Sequence, residues 1–167
     1  MGVLFFTACN DDDAEPENEE ELITNVTYTL TAGTDVATFT FVDPDGDGGN
    51  APVITGGTLM ANTTYTGSII LSNPDEDITA EIREEDEEHV FLFRSSPADL
   101  ISSVARTDPD ENGVGVGLTH TLVTGDAGTG ELTVILRHEP NKTADLSDFD
   151  AVGGETDLEI DFPLTIQ

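Results

Sequence analysis

Apolar and polar residues alternate with a period of two along most of the chain, which is typical of β-strands that bury one face. Val26, Tyr28 and Leu30 alternate with threonines in the first such segment. Residues 36–42 repeat the pattern after a short turn at residues 32–35. The two segments together predict a β-hairpin.

The same alternation continues through the rest of the chain. Pro163 lies inside the last segment and predicts an edge position or a bulge there, because proline has no N–H to give to a ladder. Residues 89–93 form a continuous apolar run, which indicates a strand buried on both faces. Two segments are less distinct: 78–82 predicts a short strand, and 98–105 fits either a strand or a short helix. The remaining predicted strands are 53–54, 63–72, 116–122, 131–138 and 156–166, and 58–60 is a less distinct candidate.

These segments predict one all-β domain. About eight or nine strands at this spacing are typical of an antiparallel β-sandwich, immunoglobulin-like or related. A small barrel is the alternative. No segment predicts a long helix.

The net charge of the chain limits the classes of partner that it can bind. Asp and Glu number 35 against 5 Lys and Arg, a formal net charge of −30. Such a surface repels phosphate backbones, which excludes nucleic-acid binding, and it attracts divalent cations. The sequence contains no Gly-x-Ser-x-Gly elbow and no Walker-type lysine, so we expect a protein that is not an enzyme.

Two acidic turns interrupt the strands with oxygen donors on alternate residues. This spacing can wrap a hard cation, and calcium is the cofactor it predicts. Neither turn has the Glu that would complete an EF-hand loop, and Asp with Gly also makes an ordinary turn without any ion. Both interpretations stay open for the two sets, Asp43, Asp45 and Asp47 followed by Gly48, and Asp108, Asp110 and Asn112 followed by Gly113.

The three histidines, His89, His120 and His138, all lie on predicted strands. His138 extends the apolar face of its strand, so its side chain is expected to point inward or to end the strand.

Two histidines that meet beside a carboxylate such as Glu88 or Glu139 would form a zinc or copper site. The alternative is three separate histidines at strand ends. We select His89 and His138 as the candidate ligands for a transition metal.

The amino-terminal residues indicate where the protein is located. Residues 1–6 are mostly apolar, Thr7 and Ala8 are small, and the only cysteine, Cys9, follows at once. This resembles the lipobox of bacterial lipoproteins, and the resemblance implies that Cys9 carries the lipid. Because a signal peptide needs an apolar region of about 7–15 residues, we expect Met1 to lie inside a longer signal peptide.

An acidic segment follows the cysteine. Residues 10–21 hold eight carboxylates and one proline, so we expect a disordered, solvated tether. The tether resembles the surface-export signal of Bacteroidetes lipoproteins, which implies a lipid-anchored protein on the outer membrane, exposed at the cell surface. The expected division is a signal-peptide remnant at 1–8, cysteine and tether at 9–21, and one domain at 22–167.

Three further stretches, 87–91, 136–142 and 153–157, resemble a family of uncharacterised Bacteroidetes outer-membrane lipoproteins. Similar lipoproteins often serve TonB-dependent receptors, which implies a receptor as the partner. The function expected is ligand capture for such a receptor, the ligand being a metal or a metal complex. The alternative is a structural or adhesive surface module made rigid by calcium.

Overall fold

The computed structural model describes residues 22–46 and 48–167. Cys9, the acidic tether and Asp47 lie outside the described residues, so the predictions made for them stay predictions.

The described chain folds into ten strands and two short helices. The helices are α1 (Ile78–Glu84) and α2 (Phe149–Val152), and a 3-10 turn covers Ala98–Leu100. None of the described helices is long and apolar enough to cross a membrane. The strands are β1 (Asn25–Ala32), β2 (Asp35–Val42), β3 (Val53–Thr55), β4 (Gly57–Leu59), β5 (Thr64–Ser72), β6 (His89–Ser96), β7 (Ile101–Arg106), β8 (Thr119–Thr124), β9 (Gly128–His138) and β10 (Glu155–Ile166).

The strands form two sheets that enclose one core, which confirms the all-β sandwich. The larger sheet has the order β3-β2-β1-β5-β8-β7, and the smaller has the order β4-β10-β9-β6. β1 and β2 pair antiparallel from Asn25 opposite Val42 to Ala32 opposite Asp35, so the predicted hairpin is confirmed. The pairing of β4 with β10 is parallel.

The core lies between the sheets and consists of the inward-pointing side chains, which are every second residue along the strands. Tyr28, Phe39, Tyr65, Phe91 and Phe162 are its largest fully buried side chains. Burial of such aromatic side chains supplies much of the hydrophobic stabilisation of a domain this size.

A second, smaller cluster covers the outer side of the four-stranded sheet. Val90, Leu92 and Ile135 point away from the main core and pack under the connection between β9 and β10, against Val152 and its neighbours. Residues 89–92 are therefore buried on both faces, as their continuous apolar run predicts. Phe93 is half-buried.

The prediction of a strand over 78–82 is wrong, because these residues belong to α1. Ile78 and Ile82 are buried one helical turn apart, and the Asp77 side chain accepts a hydrogen bond from the Thr79 N–H at 3.1 Å as the N-cap. A segment of five residues is too short to separate a period of two from one of four. The undecided segment 98–105 contains both alternatives, a 3-10 turn followed by β7.

Pro163 lies in β10, which is an inner strand. It faces Glu131 of β9, and the parallel pairing with β4 begins only at Leu164. Pro163, which has no N–H to donate, therefore lies where β10 pairs with β9 but not yet with β4. The register shift of β10 lies elsewhere, between Thr156 and Leu158.

Candidate metal centre

Strand register brings His89 and His138 together. β6 and β9 pair antiparallel, and the pairing starts with His89 directly opposite His138. The two imidazole rings stack with centroids 4.7 Å apart and planes 19° from parallel. His89 is fully buried and His138 is 3% exposed. Two aromatic nitrogen donors thus share one buried end of the four-stranded sheet.

A bulge in the neighbouring strand adds a carboxylate to this pair. Along β10, Thr156 faces Arg137 and Leu158 faces Leu136, which are consecutive residues, so Asp157 is the extra residue of a bulge. A bulge re-aims the side chain that it carries. The Asp157 carboxylate has 1% of its surface exposed, and its Oδ2 lies 3.8 Å from Nε2 of His89.

The protein fixes the orientation of His89 through its other ring nitrogen. Nδ1 lies 3.2 Å from the backbone carbonyl of Glu85, in the turn after α1. An Nδ1–H that donates to this carbonyl leaves the Nε2 lone pair directed at the Asp157 side. This second contact is the one that metal-ligating histidines usually make.

Burial lowers the pKa of His89, and the neighbouring His138 and Lys142 lower it further. The Glu85 carbonyl and the Glu88 carboxylate act in the opposite direction but do not outweigh burial. His89 is therefore neutral at pH 7, which is the protonation state that binds a metal.

Glu88 offers a second carboxylate at the rim of the cluster. Its Oε2 lies 3.8 Å from Nε2 of His138, and its side chain is 59% exposed. An exposed side chain can change rotamer at low cost, so Glu88 can approach or leave the histidines without disturbing the core.

The three inner groups fit a transition metal in type and spacing. One ligand atom from each of His89, His138 and Asp157 lies within 4.8 Å of the other two. Zinc and copper take imidazole nitrogen at about 2.0–2.1 Å and carboxylate oxygen at about 2.0–2.2 Å. Two such ligand atoms on a tetrahedral ion lie about 3.4 Å apart, so the three groups would have to approach one another by up to about 1.4 Å. Glu88 is placed to supply a fourth ligand.

A surface cleft of about 620 Å³ borders this cluster at Asp157. Thr156 and Asp157 form part of one wall, and Asp43, Gly46 and Asn50 from the first acidic turn form part of another. Carboxylates at the mouth of a cleft raise the local concentration of cations. The cleft therefore concentrates cations beside Asp157, whose own side chain is 1% exposed.

In the first acidic turn, Asp45 stabilises the loop itself. Its Oδ2 accepts hydrogen bonds of 3.0 Å from the backbone and from the side-chain amide of Asn50. These two bonds lower the pKa of Asp45. Asp43 contributes a buried Oδ1 that has no hydrogen-bond donor among the described residues.

In the second acidic turn, the carboxylates accept hydrogen bonds from nearby N–H groups. Asp108 accepts from the N–H groups of Gly117 at 2.8 Å and Thr119 at 2.9 Å. The Asn112 side chain donates to Glu87 at 2.8 Å. Hydrogen bonds within the protein satisfy the oxygens of this turn, so we do not propose a cation there.

Asp110 in the same turn forms a buried ion pair. Its Oδ2 lies 2.7 Å from Nζ of Lys142, and its Oδ1 accepts from the N–H groups of Asn112 and Val114. Burial alone would raise the pKa of Asp110, but Lys142 and the two N–H groups outweigh it and lower the pKa. Lys142 thereby ties the β9–β10 connection to the turn.

His120 lies apart from the other two histidines, within the main core. Its Nε2 is 2.7 Å from the hydroxyl of Tyr28 and its Nδ1 is 3.0 Å from the carbonyl of Gly117. A neutral ring satisfies both contacts, since Nδ1–H donates to the carbonyl and Nε2 accepts from the tyrosine. Burial lowers the pKa of His120 to about 4. This histidine is a structural group of the core.

The sequence pattern identifies His89 and His138 but misses Asp157. In a regular strand that buries Leu158 and Ile160, residue 157 would point to solvent. Only the bulge turns it toward the histidines. The one local signal is the pair Gly153 and Gly154 just before β10, both with positive φ, which marks an irregular entry to the strand.

Comparisons with protein-family models, with curated proteins and with solved structures give no match to this chain.

Proposed function

We propose that this protein binds a divalent transition metal, zinc or copper, through His89, His138 and Asp157. The observation that supports the proposal most directly is the convergence of these three groups from three adjacent strands, β6, β9 and β10. Two imidazoles with one carboxylate suit zinc and copper, whereas calcium and magnesium prefer oxygen donors alone.

The surroundings of the cluster favour reversible capture over a closed structural site. A structural zinc site has four protein ligands and is closed to solvent. Here three groups are buried, the fourth candidate Glu88 is exposed, and the cleft borders Asp157. An ion can therefore enter and leave at one side.

The proposed setting is the outer surface of a bacterial outer membrane. The lipobox-like segment before Cys9 and the acidic tether support a lipid anchor and surface exposure. A lipid-anchored protein that holds a metal ion or a metal complex at an open site would present it to a TonB-dependent receptor. We propose no enzymatic activity.

The experiment that tests the site is a zinc and copper(II) titration by calorimetry on the full chain carrying Cys9→Ser, in excess calcium and without a reducing agent, because thiol reductants bind zinc and reduce copper(II). Excess calcium occupies sites made of carboxylates alone, so it suppresses non-specific binding to this acidic surface. One high-affinity ion per chain is expected. Asp157→Asn and His138→Gln should each weaken binding by roughly ten- to a hundredfold or more, since each removes a ligand.

A matched control is Glu131→Gln, which removes an exposed carboxylate from β9, the strand of His138, at a position outside the cleft. Zinc affinity should be unchanged in this variant. The electron paramagnetic resonance spectrum of bound copper should show two imidazole nitrogens in the wild type and one in His138→Gln. Binding that is equal in all variants would refute the site.

The calcium alternative has one observation in its favour, the buried Oδ1 of Asp43 without a donor among the described residues. Calcium at the first turn would satisfy this oxygen and rigidify the loop beside the cleft. Thermal unfolding with and without calcium tests this function, because an ion that binds only the folded state raises its stability. Asp43→Asn should remove the shift, and a shift that persists in the variant would place the ion elsewhere.

A further inference from the structure

Among the residues that the structure describes, the outward face of the six-stranded sheet has no charged side chain. Alternation along the strands assigns to it residues 25, 27, 29 and 31 of β1, the even-numbered residues 36–42 of β2 and 64–72 of β5, and the odd-numbered residues 119–123 of β8. The pairing registers add residues 53 and 55 of β3 and 103 and 105 of β7. We call this set the neutral face. None of it is Asp, Glu, Lys, Arg or His.

The composition of the neutral face departs from that of the rest of the protein. Asp and Glu make up 35 of the 167 residues, yet none of those that the structure describes lies on this face, where threonine, serine and valine predominate. Not one of its residues is buried, so the described part of the chain leaves the face open. Val36, Val53 and Ile70 on it are 59%, 65% and 55% exposed.

The other sheet shows that the fold itself does not require an uncharged outer surface. The outward positions of β9 and β10 include Glu131, Glu159 and Asp161. Part of that sheet is covered by Leu146 and Phe149 of the β9–β10 connection. Depletion of charged residues is what distinguishes the centre of protein–protein interfaces from ordinary surface.

We propose that the neutral face is the interface of a symmetric homodimer, in which a second copy of this chain packs the same face against it. A net charge of −30 makes two copies repel over most of their surface. On the neutral face they can meet without burying a carboxylate. A two-fold axis pairs the same surface patch of both copies, so the uncharged face of one copy would lie against the uncharged face of the other.

The size and shape of the face suit this partner. Six strands spaced about 4.8 Å apart span roughly 24 Å, and about twenty residues is the size of one side of a standard interface. β-sheets pack face to face with interdigitated side chains in aligned sandwiches. Cross-strand neighbours such as Thr29 and Thr38, or Thr66 and Thr121, present methyl groups for this packing and hydroxyls for hydrogen bonds across it.

The dimer has a characteristic salt dependence. No ion pair forms across the neutral face, while the carboxylates elsewhere repel, so added salt screens only the repulsion. Dimerisation therefore becomes stronger as the salt concentration rises. An interface held by ion pairs would respond in the opposite direction.

The test is sedimentation equilibrium on the full chain over a range of sodium chloride concentrations, with a reducing agent that keeps Cys9 from linking two chains. Monomer at low salt and dimer at high salt are expected. Thr66→Glu places a charge in the face and should weaken the dimer at least roughly tenfold at every salt concentration. Val36→Glu, at a second exposed position, should act in the same way.

The matched control is Thr58→Glu, which adds the same charge at an exposed position of β4 in the other sheet. It should dimerise like the wild type. A wild type that stays monomeric at every salt concentration overturns the proposal. Association that salt weakens, or that survives both Thr66→Glu and Val36→Glu, overturns it equally.

Discussion

Acid should destabilise this protein through His120. The ring is fully buried and bonded as a neutral group to Tyr28 and Gly117, and burial lowers its pKa to about 4 from the ordinary value of 6.5. In the unfolded chain the same histidine takes up a proton near its ordinary pKa. The unfolded state thus binds more protons between these two values, so acidification favours unfolding.

The magnitude follows from the two pKa values. The contribution of His120 to the free energy of unfolding is complete above its unfolded pKa of 6.5 and is lost as the pH falls through its folded pKa of about 4. The free energy of unfolding falls by about 2 kcal/mol at pH ~5 and by about 3 kcal/mol at pH ~4. Carboxylates also titrate in this range, so the effect of His120 has to be separated from theirs.

Urea unfolding of the wild type and of His120→Gln at a series of pH values makes this separation. Glutamine keeps an oxygen that can accept from Tyr28 but does not titrate, so the carboxylate contributions cancel in the difference. The stability advantage of the wild type should shrink by about 2 kcal/mol between neutral pH and about pH 5.

An independent check is the NMR titration of the His120 ring, which needs no variant. Its resonances should stay at their neutral positions down to about pH 5. A difference in stability that does not change with pH would refute the reasoning. So would a His120 ring that titrates at its ordinary pKa in the folded protein.

Three further predictions address the core, the buried ion pair and the proposed metal centre. Lys142→Met leaves the Asp110 carboxylate buried without its cation; a loss of about 3 kcal/mol is expected in urea unfolding, and Lys142→Arg should recover part of it. Gly67→Ala places a Cβ 2.2 Å from Nε2 of His120, so the ring must shift; the expected cost in the same assay is about 1–3 kcal/mol, and a neutral result would mean that the ring moves freely. Zinc affinity measured by calorimetry should fall as the pH drops, because His89 must be neutral to bind; since burial lowers the pKa of His89 below its ordinary value, an affinity that stays flat down to about pH 4 would argue against imidazole ligands.

The alternation of apolar residues was sufficient to predict the sandwich and the β1–β2 hairpin. Each strand such as β5 buries every second residue, and this local pattern is readable without knowledge of its partners. The α1 helix was not predictable from five residues, since two isoleucines four positions apart fit either period.

The proposed centre was predictable only in part, because it depends on contacts between distant strands. His89 and His138 are 49 positions apart in the numbering and meet because β6 and β9 adopt one particular register. No local pattern specifies that register. The bulge that supplies Asp157 breaks the alternation on which the prediction relied.

Because of the bulge in β10, the proposed metal centre could lose its carboxylate without a change in the fold. Thr156 and Leu158 already face consecutive residues of β9, Arg137 and Leu136. Deleting Asp157 would therefore preserve every strand pair and every core position while removing the carboxylate. The gain or loss of a single codon is enough to convert this sandwich between a form with the acidic ligand and a form without it.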